Sequence, residues 1–227
     1  MNIAVLSLTR DRLDYTRHCF ASLLANAGCD FDWFITDNGS TDGTVDWLLD
    51  NTDATVTSYT DNAGISPALN AMIDDALASA DYDVIVKIDN DCELVTPDTL
   101  SDVCRLVSDH DAILSPWIKG LRQPPQPLPG VAHPSGQITR MPVIGGIFTA
   151  VPAGVFEDGY RHPLIPTLDG EDFNLCQWYR SQGGTVGYVD GYEAWHYEGT
   201  DGQHARYPDY FSRRAEEREA AARLVTW

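Results

Sequence analysis

Cations are scarce in this sequence: 15 Lys plus Arg stand against 34 Asp plus Glu, a formal net charge of −19, and only Lys87 and Lys119 are lysines. A field of that sign repels DNA, RNA and anionic lipid. Nucleic acid is therefore not an expected partner, a modified base in DNA being the one form left open. A phosphate-bearing ligand would need a divalent cation to bridge it to such a surface. No apolar stretch approaches the ~20 residues that cross a bilayer. Residues 1–10 carry no basic flank or small-residue cleavage site and read as a core strand rather than a signal peptide. The five cysteines (19, 29, 92, 104 and 176) are odd in number and lack C-x-x-C spacing. They read as reduced, mostly buried thiols, and the expected location is the cytoplasm. Glycine is missing from residues 6–12, and no G-x-G-x-x-G occurs anywhere, which excludes a dinucleotide dehydrogenase of the usual pattern.

What is present describes a globular chain of 227 residues, 43% hydrophobic and 22% charged, of a size for one ordinary domain. Apolar strand signals at 2–8, 31–36, 55–60, 83–88 and 112–115 alternate with helical periodicity at 15–27, around 45–49, at 65–78 and after Pro97. Ser40 or Asp42 is placed to cap the second helix. Strands separated by helices imply a parallel sheet with right-handed crossovers, whose ligands bind at the carboxyl ends of the strands. Between 119 and 141 the proline-rich run Gln123-Pro124-Pro125-Gln126-Pro127 excludes helix and central strand. It reads as an exposed connection or as a lid. Beyond it the pattern predicts an apolar segment at 143–151, a helix over 170–182, a short strand at 185–189, and an Arg/Glu-rich helix from 206 to 224 that reads as a solvated packing element.

The carboxyl ends of the first four strands are where the chemistry gathers. Asp89-Asn90-Asp91 directly follows the strand at 83–88, and carboxylates at i and i+2 there can reach one divalent ion and one ligand together. An isolated Asp-x-Asp is more often a solvated turn; its place after a buried strand favours the site. The block Asp37-Asn38-Gly39-Ser40-Thr41-Asp42-Gly43-Thr44 is a Gly- and Asx-rich loop opening a helix, and Asp37 at its strand end can accept hydrogen bonds from a base or ribose. Asp61-Asn62-Ala63-Gly64, with Asn70 behind it, ends the third strand, and Thr9-Arg10-Asp11-Arg12 ends the first. At period two Lys87 shares a side with Asp89 and can help hold phosphate.

This ordered series resembles the family 2 glycosyltransferases and their GT-A nucleotide-sugar-binding fold. It is carried further by Gly145-Gly146, by Gly170-Glu171-Asp172 opening a helix, and by His196 after Trp195, and runs from about residue 2 to about residue 200. The resemblance implies an α/β fold with a Rossmann-like, mostly parallel central sheet flanked by helices and a small antiparallel segment in the C-terminal half. It implies one domain over 1–227: a nucleotide-binding half (1–118), the proline-rich connection (119–141), an acceptor and catalytic half (142–204) and a C-terminal helix (205–227). Asp37 and the backbone near Leu8 and Thr9 would face nucleobase and ribose, with Arg12, Asn62, Gly64, Lys87, Asp89 and Asn90 also on the nucleotide and Asn70 bracing the 62–64 loop. Asp91, His196 and Asp89 would hold Mn2+ or Mg2+. Asp172, paired with Glu171, would be the general base, and Gly145, Gly146 and Trp195 would lie near acceptor or sugar.

The implied reaction is metal-dependent, inverting transfer from a nucleoside diphosphate sugar, UDP being the first expectation, to a hydroxyl of a glycan, lipid-linked or protein acceptor. No Gln-x-x-Arg-Trp sequence of the processive members occurs, which points to transfer of single sugars. A non-catalytic sugar-nucleotide or glycan-binding module, and a nucleotidyltransferase of related fold, remain the alternatives; the second usually carries a glycine-rich loop where this chain has residues 6–12. Monomer and homo-oligomer are both open.

Overall fold

The computed structural model describes residues 1–121, 126–128, 133, 135–164, 170–197 and 203–223. Much of the proline-rich connection, and residue 224 of the helix expected at the C-terminus, lie outside them.

The alternation of strand and helix seen in the sequence is built as β1 (Ile3–Thr9), α1 (Leu13–Asn26), β2 (Asp32–Asn38), α2 (Thr44–Asn51), β3 (Thr55–Tyr59), α3 (Ile65–Ser79) and β4 (Val84–Ile88). A short β5 (Cys92–Leu94) that no run of apolar residues announced precedes α4 (Thr99–His110) and β6 (Ala112–Lys119). Then come β7 (Ile138–Arg140), β8 (Phe148–Pro152), α5 (Gly154–Glu157), α6 (Glu171–Ser181), β9 (Thr185–His196), α7 (Gln203–Arg206) and α8 (Pro208–Arg223).

The strands form one mixed sheet in the order β3-β2-β1-β4-β8-β6-β9-β5, with β7 paired to β9. The first four strands and the β6–β9 pair run one way; β5, β7 and β8 run against their neighbours. The α/β class, with a sheet mostly parallel in direction and antiparallel additions in the C-terminal half, is as expected. The antiparallel β8 lies between β4 and β6. Ile3, Ala4, Val5 and Leu6 of β1 and Val84, Ile85, Val86 and Ile88 of β4 are all buried. Strands buried on both faces read as near-continuous apolar runs, broken here by Ser7 in β1 and Lys87 in β4.

Three features of the C-terminal half determine where its side chains meet the first half. Ile88 lies opposite Phe148, and Asp89 N–H donates to Ile147 O (2.9 Å), so the turn at 145–147 sits against the end of β4. Next, β9 continues well past the expected end at 189. Pro116 of β6 faces Val189 whereas Trp117 faces Glu193, so residues 190–192 bulge out, with Gly191 at φ +90. A bulge of this kind bends a strand without ending it. The far half of β9 then pairs with β5, Cys92 opposite His196, which delivers His196 beside Asp91.

The α2 cap differs from expectation. Gly43, in left-handed backbone, occupies the N-cap position, and Asp42 instead accepts from Thr44 N–H (3.2 Å) and from Leu13 N–H (2.9 Å). Asn70 does not brace the 62–64 loop either. Its amide exchanges two 2.9 Å hydrogen bonds with the backbone of His162, tying α3 to the segment that leads into α6.

Gly120 is the tightest point of this assembly. Its φ is +80, and a Cβ there would stand 2.1 Å from His196 O. Gly120→Ala is expected to cost at least ~1–3 kcal/mol in backbone strain alone, lowering the melting temperature by about 2–4 °C per kcal/mol at this chain length. Gly159→Ala, at φ +93 with nothing within 4 Å, carries the strain without the collision. Thermal denaturation of both checks this: a Gly120→Ala loss no larger than that of Gly159→Ala would contradict it.

Candidate active site

A cavity of about 330 Å³ opens at the carboxyl ends of β1 and β4, lined among others by Leu8, Thr9, Arg10, Arg12, Asn38, Asn62, Gly64, Lys87, Asp89, Asn90 and Asp91. From the C-terminal half come Gly145, Gly146, Glu171, Asp172 and His196, and from the last helix Tyr210 and Arg214. Most of the residues singled out in the sequence therefore meet in one place, although they span almost two hundred positions.

Two do not. Asp37 is fully buried behind the wall, where its carboxylate accepts from Thr9 Oγ1 (2.8 Å), Ser40 N–H (2.8 Å) and Ser40 Oγ (2.5 Å). Its neighbour Asn38 reaches the cavity instead. Trp195 points away from it, because adjacent residues on a strand face opposite sides and His196 takes the inner one. The 37–44 block acts here as a brace: Ser40 Oγ accepts from Asp11 N–H (2.6 Å), and Thr41 N–H donates to Asp11 Oδ1 (2.8 Å). Asp11 and Arg12 are thereby held in left-handed backbone at φ 52 and 62, a conformation costly for residues with a Cβ.

Arg12 and Asp91 form the first of two charged centres. Asp91 Oδ2 accepts from Arg12 Nη1 (2.8 Å), with side-chain exposures of only 8% and 6%. Asp91 Oδ1 lies 3.5 Å from His196 Nε2. Burial alone would raise the Asp91 carboxyl, but Arg12 and His196 outweigh it and hold it well below the usual carboxylate range. The second centre is Lys87, also buried. Its ammonium donates to the Gly146 carbonyl and pairs with Asp89 Oδ1 (2.8 Å) and, at 3.6 Å, with Glu171 Oε1. Burial would lower the Lys87 pKa; Asp89 and Glu171 reverse this and raise it. The fit at Gly146 is close, since a Cβ there would stand 3.0 Å from Lys87 Nζ and 3.1 Å from Glu171 Oε1 and those side-chain ends would have to give by a few tenths of an ångström.

The expected triad of Asp89, Asp91 and His196 around one cation is not assembled. Residues 89–91 form a turn closed by Cys92 N–H donating to Asp89 O (3.1 Å), so the period-two rule lapses and each carboxylate goes to its own cation. Among the described residues no three His, Cys, Asp or Glu side chains cluster as a metal site. Asp91 and His196 do remain as a pair of donors. Ligands ~2.1 Å from one ion lie roughly 3–3.5 Å apart, and Mg2+-type ions take one or two protein donors with phosphate oxygens completing the shell. The 3.5 Å gap and the ionised state of Asp91 fit that arrangement.

Asp172 lies in the first turn of α6, behind the left-handed N-cap Gly170. Its oxygens accept from Gly146 N–H (2.9 Å) and Phe173 N–H (2.6 Å), leaving each with a free lone pair. Burial, and after it Glu171, raises the Asp172 carboxyl; Lys87 and the two amides only partly oppose this.

The C-terminal helices are the part the sequence reading missed. They are not a bland solvated element. Arg10, named in the sequence only as part of the loop after the first strand, makes two 2.6 Å hydrogen bonds with Glu217, which also accepts from Asn62 Nδ2 (3.0 Å). Arg213 pairs with Asp11 (2.5 Å) and Arg206 with Asp14 (2.8 Å). Tyr210 covers the Arg12 guanidinium, whose carbon is 4.6 Å from the ring centroid. The available signal was the spacing of Tyr210, Arg214 and Glu217, which puts them on one helical face.

Comparison with known proteins gives the family and the fold. The profile described as glycosyl transferase family 2 matches residues 5–126. No curated protein matches the sequence. Solved structures do: TarS of S. aureus at 16% identity, covering 86% of this chain and 36% of that one with a TM-score of 0.62. GalNAc-T7 in complex with UDP, GalNAc and Mn2+ matches at 15%, covering 86% and 44%, TM-score 0.67. The mannosyltransferase PcManGT of Pyrobaculum calidifontis in complex with GDP-Man and Mn2+ matches at 15%, covering 100% and 65%, TM-score 0.64. The chain thus spans between about a third and two-thirds of the length of these proteins. At such identities the likeness is one of fold, whereas the profile covers more than half the sequence: the chain belongs to glycosyl transferase family 2.

Proposed function

We propose that this chain transfers a sugar from a nucleoside diphosphate sugar to an acceptor hydroxyl, with inversion at the anomeric carbon and with the help of a divalent cation. The observation that carries this reading is the juxtaposition, in one cavity, of two buried cations, Arg12 and Lys87, with a half-buried carboxylate of raised pKa, Asp172. A diphosphate needs the first feature and an acceptor hydroxyl the second.

In this reading the nucleoside lies against Leu8, Thr9, Asn38, Asn62 and Gly64, and the diphosphate lies between Arg12 and Lys87, with Asn90 holding the Arg12 fork. Asp91 and His196 would hold Mn2+ or Mg2+, whose bound charge offsets that of the leaving diphosphate. Asp89 serves through Lys87 rather than as a ligand. Asp172 takes the proton of the acceptor hydroxyl as the oxygen forms its bond to the anomeric carbon. The bond from that carbon to the diphosphate oxygen breaks, and its electron pair leaves with the diphosphate. Base and leaving group on opposite sides of the sugar give inversion. Gly145 and Gly146 keep the floor between them free of side chains. The matched complexes hold UDP, UDP-GlcNAc or GDP-Man, so UDP and GDP are the nucleotides to test first. The acceptor is a glycan, lipid-linked or protein hydroxyl.

The domain division at 118 and 141, the single-sugar mode and the cytoplasmic location belong to the same reading. Five free cysteines support a reducing compartment, and no helix among the described residues is long and apolar enough to cross a membrane.

Asp172→Asn is expected to bind UDP or GDP with native affinity, by calorimetry, and to lose ~10²–10⁴-fold in transfer rate; transfer at the native rate would remove Asp172 from the mechanism. Because the base acts as the carboxylate and its pKa is raised, activity falls as pH drops through that raised value. The acidic limb of kcat/KM should therefore lie above the ~3.9 of an ordinary Asp, and a limb at or below that value would contradict the assignment. Asp91→Ala is expected to abolish the extra thermal stabilisation that Mn2+ adds to UDP or GDP. An undiminished Mn2+ increment would take Asp91 out of the metal site.

A further inference from the structure

The carboxylate assigned to the metal is already engaged by a cation of the protein. Arg12 Nη1 donates to Asp91 Oδ2 (2.8 Å) and to Gln203 Oε1 (2.8 Å), and Nη2 donates to Asn90 Oδ1 (3.0 Å). Gln203, fully buried, turns its own amide to the same Asp91 oxygen at 3.4 Å. Tyr210 closes the other face of the guanidinium. Despite this enclosure, Arg12 Nε is buried without a hydrogen-bond partner, and the residue borders the cavity. A guanidinium and a divalent ion on one carboxylate repel each other, the more strongly in a site of low dielectric. A diphosphate, by contrast, matches the guanidinium fork and can draw it off.

We propose that Arg12 is a placeholder for the metal: it neutralises Asp91 in the empty site and passes to the diphosphate when the donor enters, so that Asp91 meets the cation only then. Gln203 and Tyr210, both from the C-terminal helices, are positioning residues that set how firmly Arg12 is parked. This rests on Asp91 being a metal ligand. It goes further in making metal affinity depend on the donor through a residue that binds no metal, and in giving the C-terminal helices control of that dependence. The metal then enters with the nucleotide rather than before it.

The test uses the full chain, Mn2+ alone followed by electron paramagnetic resonance of the free ion, and metal-free UDP or GDP followed by calorimetry. Arg12→Gln is expected to bind Mn2+ alone about fivefold or more tightly than the native chain and to bind the nucleotide more weakly by a similar factor. A merely damaged pocket would weaken both. Gln203→Ala, which changes no charge, should tighten Mn2+ alone and leave nucleotide binding undiminished, and it carries the test by itself should Arg12→Gln not fold. Unchanged or weaker Mn2+ binding in the folded variants would overturn the placeholder role. Asp91→Asn separates the two levels: if it leaves Mn2+ binding in the presence of nucleotide intact, the metal assignment itself fails. If it abolishes that binding while Arg12→Gln and Gln203→Ala fail to tighten Mn2+ alone, only the placeholder role fails.

Discussion

Beside the β4–β8 ladder, one buried ammonium ties the two halves of this fold together at the candidate site. Lys87 leaves β4 and is gripped by Asp89 on the following turn, by the carbonyl of Gly146 ahead of β8, and by Glu171 at the head of α6. The β4–β8 ladder brings the turn at Gly146 to the end of β4, and Lys87 adds the head of α6 to that junction. Removing one member of a buried ion pair leaves the other charged and uncompensated, typically at a cost of ~3–5 kcal/mol. Through Glu171, Lys87 holds the first turn of α6 and hence Asp172; through Gly146 it holds the amide that donates to Asp172. The carboxylate proposed as the base is thus placed by the same cation that is proposed to face the diphosphate.

Charge balance bears on how a chain of net charge −19 would receive the proposed diphosphate. Its few cations are not spread evenly. Arg10, Arg12, Lys87 and Arg214 border one cavity, and each of the first three is already paired with a carboxylate of the protein. On the proposed reading the diphosphate exchanges partners with these carboxylates rather than simply filling a positive hole. The C-terminal helices are fastened by Glu217, Arg213 and Arg206 to the loop that carries Arg12 and to the first turn of α1, which is how they would take part in that exchange. These pairs are part-exposed, so each contributes little and is screened by salt.

Much of this was legible in the sequence because it followed from backbone regularity. Apolar runs such as Val84–Ile88 and helical spacing gave the alternating elements, and the rule that ligands gather at carboxyl ends of strands chose the loops. Lys87 and Asp89 share a side as period two requires. Asp91 does not, because a turn rather than a strand connects it. Asp37 was misplaced since strand-end position says nothing about whether a carboxylate turns outward or is used up by Thr9 and Ser40. Asn70 was misassigned because its partner, the backbone of His162, carries no sequence signal at all. The continuation of β9 to His196 was hidden by Asp190-Gly191, which reads as an end but forms a bulge. The C-terminal helix read as solvated because its charges find their partners only in three dimensions.

The central claim is that a donor diphosphate and a divalent cation share the cavity between Arg12, Lys87 and Asp91. Crystals grown with Mn2+ and UDP or GDP, measured at the manganese absorption edge, address it most directly. The account predicts one anomalous peak touching Asp91 and His196, with diphosphate density reaching Arg12 and Lys87 while Asp89 stays on Lys87. A nucleotide bound on another face of the sheet, or manganese away from Asp91, would contradict it.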